Sequence, residues 1–256
     1  MQTLILIPAR YASTRFPAKP LAMLDGRPII QHVYERVRQF TTAVYVATDD
    51  ERIASCVEAF GGKYVLTSPD HPSGTDRCRE ALDKVEAATG QHFDCVVNVQ
   101  GDEPFIAVSQ LQTLVALFDA PATDIATLAR PFTPADGIEG LRNPNSPKVV
   151  MAADGQALYF SRSVVPYLRG VDEQEWLTRH TYYKHIGLYG YRADVLRQIT
   201  QLEPSPLEQT EKLEQLRWLE SGYTIRVGLT DVETIGIDTP ADLLAAEEFI
   251  KQNQRR

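Results

Sequence analysis

The feature that most constrains this chain is the alternation of short β-branched runs with stretches of helical periodicity, the signature of βαβ units around a parallel sheet. Thr3 to Ala9 (TLILIPA) reads as the first buried strand. A helix from Pro28 to Phe40 follows, in which Ile29, Val33 and Val37 repeat at helical spacing behind Gly26-Arg27-Pro28. Ala43 to Asp49 is predicted as the second strand. A helix then runs from Asp50 to the glycine pair Gly61-Gly62, and a third strand spans Tyr64 to Thr67. The loop from Ser68 to Thr75 carries too much Pro and Gly for regular structure. Beyond it the pattern gives a helix from about Asp76 to Thr89 and a strand from Asp94 to Gln100 (DCVVNVQ), a continuous apolar run of the kind buried on both faces of a parallel sheet.

Past Pro104 the pattern changes. A helix (Ser109 to Phe118) and a strand (Ile125 to Leu128) precede a loop rich in Pro and Asn, and Asp154-Gly155 between two apolar runs signals a hairpin. A strand at Ile186 to Tyr191, one long helix from about Ser205 to Ser221, strands at Ile225 to Leu229 and Thr234 to Ile237, and a helix from Thr239 follow. The expected architecture is a single α/β domain over residues 1–256, with a mostly parallel sheet and a smaller antiparallel excursion at about residues 148–191.

The charge balance narrows the partners. Lys plus Arg (26) against Asp plus Glu (34) gives a formal charge of −8, so no basic field is available for a nucleic-acid backbone. The apolar stretch Leu4 to Ile7 stops at Pro8, short of a signal-peptide core or a membrane span. Cys56, Cys78 and Cys95 have neither a CxxC nor a zinc spacing and read as small buried hydrophobes in a reducing compartment. A soluble, cytoplasmic protein with no nucleic-acid or membrane partner is expected.

In an open parallel sheet, ligands gather at the carboxyl ends of the strands, so the loops that follow strands are the candidate sites. The loop after the first strand places Arg10, Arg15 and Lys19 within ten residues of an otherwise acidic chain. It matches neither GxxxxGK[ST] nor GxGxxG. Such a loop is either a solvated basic stretch or a cradle for a triphosphate. Asp102 ends the loop after the Asp94 to Gln100 run, and Asp238 stands just before Thr239-Pro240. Each aspartate alone fits a helix cap. As a pair opposite a cationic loop they fit a magnesium site, because that ion takes one or two carboxylates plus phosphate oxygens and water. His180 and His185 are five apart without a third ligand, which does not make a zinc site, and no GxSxG is present.

Taken together, IPARYASTRFPAKPL, HPSGTDR, NVQGDEPF, ALYFSR, HIGLYGYR, SPLEQTEKLEQLR and IGIDTPADL resemble, in order and from about residue 5 to 245, the motifs of the 3-deoxy-manno-octulosonate (Kdo) cytidylyltransferase, or CMP-Kdo synthetase, family. HIGLYGYR with SPLEQTEKLEQLR separates this family from sialate-activating relatives. One departure is Ala18, where the family usually has Gly. The resemblance implies a Rossmann-like nucleotide-binding core and a magnesium-dependent homodimer that transfers CMP from CTP to Kdo for lipopolysaccharide biosynthesis. A cytidylyltransferase for another sugar acid such as sialate, or a non-catalytic nucleotide-binding homologue, is the alternative.

Residue by residue, the resemblance implies that Arg10 and Lys19 meet the triphosphate with Arg15 assisting, that Ala9 contacts the nucleotide, and that Ser73 and Arg77 meet the cytosine and ribose. It makes Asp102 and Asp238 the Mg2+ ligands, with Lys19 and Arg10 acting beside them in catalysis. It gives Gln100, Arg162, His185, Tyr189, Glu214 and Gln215 to the sugar-acid pocket. Taken alone, these side chains fit plainer roles: Arg162 a partner for a surface acid, Tyr189 core, Glu214 and Gln215 an exposed helix face. The dimer is expected to form through the antiparallel excursion, where Tyr159, Phe160, Tyr182 and Tyr183 read as exposed aromatics.

Overall fold

The computed structural model describes residues 1–12, 16–232 and 236–254. The chain divides into two compact units, one of residues 1–111, 192–200 and 234–256, the other of 112–191 and 201–233. The second unit is larger than the excursion of about 148–191 read from the sequence.

In the first unit, strands Tyr64–Leu66, Val44–Thr48, Thr3–Ala9 and Cys95–Asn98 lie side by side in that order, all parallel. Leu4, Ile5, Leu6 and Ile7 are fully buried, as an unbroken apolar run requires. Each such side chain contributes roughly 1.5–3 kcal/mol of transfer free energy. The helix Ile29–Val37 turns Ile29, Ile30, Val33, Tyr34 and Val37 into the core, and it ends three residues before the expected Phe40. Asp50 caps the helix Glu51–Ala59 by accepting from the Arg52 amide at 2.9 Å. Ser73 caps the helix Gly74–Thr89, which starts two residues before the predicted Asp76. The helix Ala193–Ile199 is bound to this unit through Arg197, which pairs with Asp83 at 2.9 Å and Glu86 at 2.6 Å.

In the second unit, strand Ile125–Pro131 pairs antiparallel with Tyr183–Arg192 and parallel with Ile225–Leu229. Lys148–Met151 and Ala157–Ser161 form the hairpin expected at Asp154-Gly155, with Gly155 at φ +83° in the turn.

Three expectations change. The helix predicted from Ser205 to Ser221 is two helices, Pro206–Glu211 and Gln215–Glu220, broken at Lys212, whose φ is +52°. The break has a cause 50 residues away: the Arg162 guanidinium donates to the carbonyl oxygens of Glu211 (2.6 Å) and Lys212 (3.1 Å). The aromatics read as exposed are otherwise placed. Phe160 is fully buried and Tyr182 is 1% exposed, packed in a core with Phe132, Leu141 and Trp176, while Tyr159 and Tyr183 are half-buried. Finally, Thr234 and Ile235 of the predicted last strand lie outside the described residues, and Ile237 is buried but in no strand. None of the described helices is long and apolar enough to cross a membrane.

Candidate active site

Two strand ends and a returning segment build the first unit's cleft. After Cys95–Asn98 the chain turns through Gln100, Gly101 and Asp102. A side chain at 101 would put its Cβ 3.0 Å from the Pro8 carbonyl oxygen, so glycine lets this loop lie against the end of the first strand. The Ile237 amide donates to the Asp102 carbonyl at 2.9 Å, which fastens the segment carrying Asp238 to the same loop. Opposite, Ala18 adopts a left-handed conformation (φ 56°, ψ 19°) at the head of the short 3-10 turn Lys19–Leu21.

The result is one ammonium between two carboxylates. Lys19 Nζ donates to Asp102 Oδ2 at 2.5 Å and to Asp238 Oδ1 at 3.0 Å. Burial works to lower the pKa of Lys19, and Asp102 and then Asp238 outweigh it, so the ammonium is held above its ordinary value. Thr239 and Asp242 cap the helix Pro240–Gln254 between them: Thr239 Oγ1 accepts from the Asp242 amide at 3.3 Å, and Asp242 accepts from the amides of Thr239 (2.8 Å) and Asp238 (3.0 Å). The two aspartates thus converge on a single cation position, as a divalent ion completed by phosphate oxygens and water would need. Among the described residues no cluster of three or more His, Cys, Asp or Glu side chains forms a metal cage.

The cleft, of about 230 Å³, is lined by Pro8, Ala9, Arg10, Lys19, Ser73, Arg77, Gln100, Asp102 and Asp238 among others. The structure therefore brings together every described nucleotide and metal candidate, and Gln100 with them. Arg15 lies outside the described residues. Arg10 is exposed. Ser73 accepts from the Asp76 amide at 3.2 Å, so its hydroxyl sits at the positive end of the helix Gly74–Thr89. Arg77 is 3% exposed, donates to Thr67 Oγ1 at 2.6 Å and faces Asp49 at 3.3 Å. Burial and nearby Arg10 lower its pKa, against the pull of Asp49.

Glu103 was missed by sequence reasoning. Its Oε2 is buried without a hydrogen-bond partner among the described residues, and burial, with Asp102 and Asp238 adding to it, raises the carboxyl to about 8. Its place one residue after Asp102 was the only sign of it in the sequence.

The other sugar-pocket candidates belong to the second unit. His185 and Tyr189 are neighbours, with ring centroids 5.4 Å apart, and Tyr189 stands edge-on to Trp218 at 5.2 Å. Gln215 is 4% exposed and Glu214 half-buried, so neither lies on an open helix face. Arg162 is engaged with backbone: besides Glu211 and Lys212 it donates to the Pro144 carbonyl at 2.8 Å. Glu211 returns the grip, accepting from Ser161 Oγ at 2.6 Å and the Arg162 amide at 2.9 Å.

A cleft beside the ends of parallel strands that gathers a lysine, two arginines and paired carboxylates defines a nucleotide-handling α/β enzyme. The comparisons with known proteins specify it. The cytidylyltransferase family model matches residues 4–227. The 3-deoxy-manno-octulosonate cytidylyltransferase of Phocaeicola vulgatus is 63% identical over 254 residues, 99% of each chain. That of Bacteroides thetaiotaomicron is 61% identical, covering 98% of this chain and 99% of its own. A solved structure of CMP:2-keto-3-deoxy-manno-octonic acid synthetase complexed with CTP is 43% identical, with a TM-score of 0.88, 99% of this chain covered and 100% of the other. The chain belongs to the cytidylyltransferase family, and within it to the 3-deoxy-manno-octulosonate cytidylyltransferases.

Proposed function

We propose that the protein transfers CMP from CTP to Kdo, giving CMP-Kdo and pyrophosphate, in the cytoplasm and for lipopolysaccharide biosynthesis. The observation that carries this reading is the convergence of Asp102 and Asp238 on Lys19 in the cleft that Arg10, Ser73 and Arg77 also line. The names of its relatives supply the substrates.

The anomeric hydroxyl oxygen of Kdo attacks the α-phosphorus of CTP, its proton passes to water, the bond to the β-phosphate oxygen breaks, and pyrophosphate carries away the electron pair. The protein forms no covalent bond. Lys19 and Arg10 neutralise charge on the α-phosphate and the leaving pyrophosphate, Lys19 giving up its two carboxylates to the metal as it does so. A magnesium ion, when held by Asp102 and Asp238, would supply further electrostatic stabilisation of the phosphate oxygens. Ser73 and Arg77 meet the nucleoside, and a shallow pocket there favours a pyrimidine over a purine. Gln100, Arg162, His185, Tyr189, Glu214 and Gln215 serve the sugar acid, Arg162 by holding the helix break that presents Glu214 and Gln215. A homodimer is proposed as well, with the second unit's exposed Leu158 (57%) and Tyr167 (72%) as apolar contacts.

The test is release of pyrophosphate on mixing the protein with CTP, magnesium and Kdo, repeated with ATP, GTP and sialate. Release that needs CTP, Kdo and magnesium together is expected. Equal turnover with purine nucleotides, or turnover with sialate in place of Kdo, overturns the assignment. Light scattering at micromolar concentration reads the oligomer, and a monomer rejects the dimer.

A further inference from the structure

Thr127 stands where two strands fall out of register. Leu128 pairs with Ile186 and Thr127 with Tyr189, so the strand Tyr183–Arg192 carries two extra residues, Gly187 and Leu188, in a bulge. A bulge takes backbone groups out of the ladder, and buried carbonyls need a donor from elsewhere. The fully buried Thr127 hydroxyl provides one: Oγ1 lies 2.9 Å from the Leu188 carbonyl oxygen and 3.1 Å from that of Ile186. It also lies 3.1 Å from His185 Nε2.

The proton inventory of this triangle decides the state of His185. A hydroxyl has one proton, and carbonyl oxygens only accept. Were that proton aimed at His185, the Oγ1 lone pairs would face two carbonyl oxygens at hydrogen-bond distance with nothing between them. The proton therefore goes to a carbonyl, and toward His185 the Thr127 oxygen can only accept. Nε2 must then carry the imidazole hydrogen. The ring is neutral, because burial pushes its pKa down to about 3, and a neutral imidazole has one N–H. Nδ1 is left as a lone pair, with no hydrogen bond to any described residue. The ring is held edge-on to Phe160 at 5.0 Å, the Tyr189 hydroxyl is buried beside Thr127, and Gln215 Nε2 in the same unit is buried without a hydrogen-bond partner among the described residues.

We propose that Thr127 is a positioning residue that fixes His185 as its Nε2–H tautomer and so makes Nδ1 an acceptor for a hydroxyl of the sugar acid. The second half rests on the reading of His185 as a sugar-acid residue given above. Tyr189 and Gln215 would supply donors to the same ligand, and His185 the acceptor. The sugar's hydroxyls would thus meet both kinds of partner.

The experiment is imidazole 15N NMR of the full-length protein with 15N-labelled histidine, the His185 signals being assigned by their loss in His185→Gln. Wild type is expected to show a protonated Nε2 and an unprotonated Nδ1 before any substrate is added. Thr127→Ser keeps the hydroxyl and the tautomer. Thr127→Val keeps the shape, loses the hydroxyl and the single tautomer, and raises the KM for Kdo about tenfold, one hydrogen bond's worth, with the KM for CTP unchanged. A protonated Nδ1 in wild type overturns the proposal, as does an unchanged His185 spectrum in Thr127→Val. If Thr127→Val does not fold, the wild-type and Thr127→Ser spectra still decide the tautomer. A changed tautomer with an unchanged KM for Kdo overturns the role of His185 toward the sugar and leaves its fixation by Thr127 standing, which separates the two failures.

Discussion

Ala18→Gly should make this protein more stable. Ala18 sits at φ 56°, ψ 19°, its amide donating to the Tyr11 carbonyl at 3.0 Å and its carbonyl accepting from the Leu21 amide at 2.8 Å, so Ala18 itself is held in this conformation from both sides. For an L-residue the left-handed region costs about 1–2 kcal/mol, because Cβ approaches the carbonyl oxygen. Glycine escapes that cost but gives back about 0.4–1 kcal/mol through the greater freedom of the unfolded chain. The net gain is about 0.5–1 kcal/mol, or about 1–4 °C in Tm for a chain of this size. In guanidinium titrations the midpoint should rise with an unchanged slope. Ala18→Val, with a β-branched side chain at positive φ, should move the midpoint the other way, by about 1 kcal/mol or more. Since Lys19 keeps its place, the KM for CTP should not change in Ala18→Gly. A midpoint lowered by glycine would refute the reasoning, because it would mean that the left-handed conformation stores no strain.

Asp102→Asn and Asp238→Asn should each lower turnover by about 100- to 1,000-fold, the size of one lost electrostatic contact to a transition state, as steady-state kinetics would read. Thermal melting of both should change little, since Thr239 and Asp242 make the capping contacts of the helix Pro240–Gln254. Glu103→Gln should stabilise the fold at pH 7. A carboxyl raised from 4.5 to about 8 keeps its proton in the folded state while the unfolded chain releases it, so wild-type stability falls as pH rises from 4.5 to 8. The gain at pH 7 is about 1–3 kcal/mol, and melting curves of the two proteins should converge below pH 4.5. Arg162→Lys cannot span three carbonyls and should cost about 2 kcal/mol by denaturant titration.

Much of the first unit was legible because its elements are specified locally. The run from Leu4 to Ile7 is apolar without interruption, and Asp50 and Ser73 stand at the helix starts they cap. Elements specified from a distance were not legible. Lys212 carries no glycine-like signal, and its left-handed turn depends on Arg162 taking the carbonyls that a continuous helix would have used. The bulge at Gly187 and Leu188, and the burial of Phe160 and Tyr182, depend likewise on partners far along the chain. In the cleft, the charges of Lys19, Asp102 and Asp238 could be read, but not that one ammonium bridges both carboxylates. The capping of the last helix was there to be read, since Thr239 and Asp242 have the spacing of a capping box.

The first unit is not contiguous: it closes only when residues 234–256 return to it, and Asp238 arrives with them. Translation proceeds from the N-terminus, so Arg10 and Lys19 leave the ribosome long before the second carboxylate that faces them. A nascent chain therefore exposes a cationic loop with only half of its acidic counterpart for most of its synthesis, and no truncated product ending before residue 238 can assemble the cleft. Competence waits for the segment that carries Asp238.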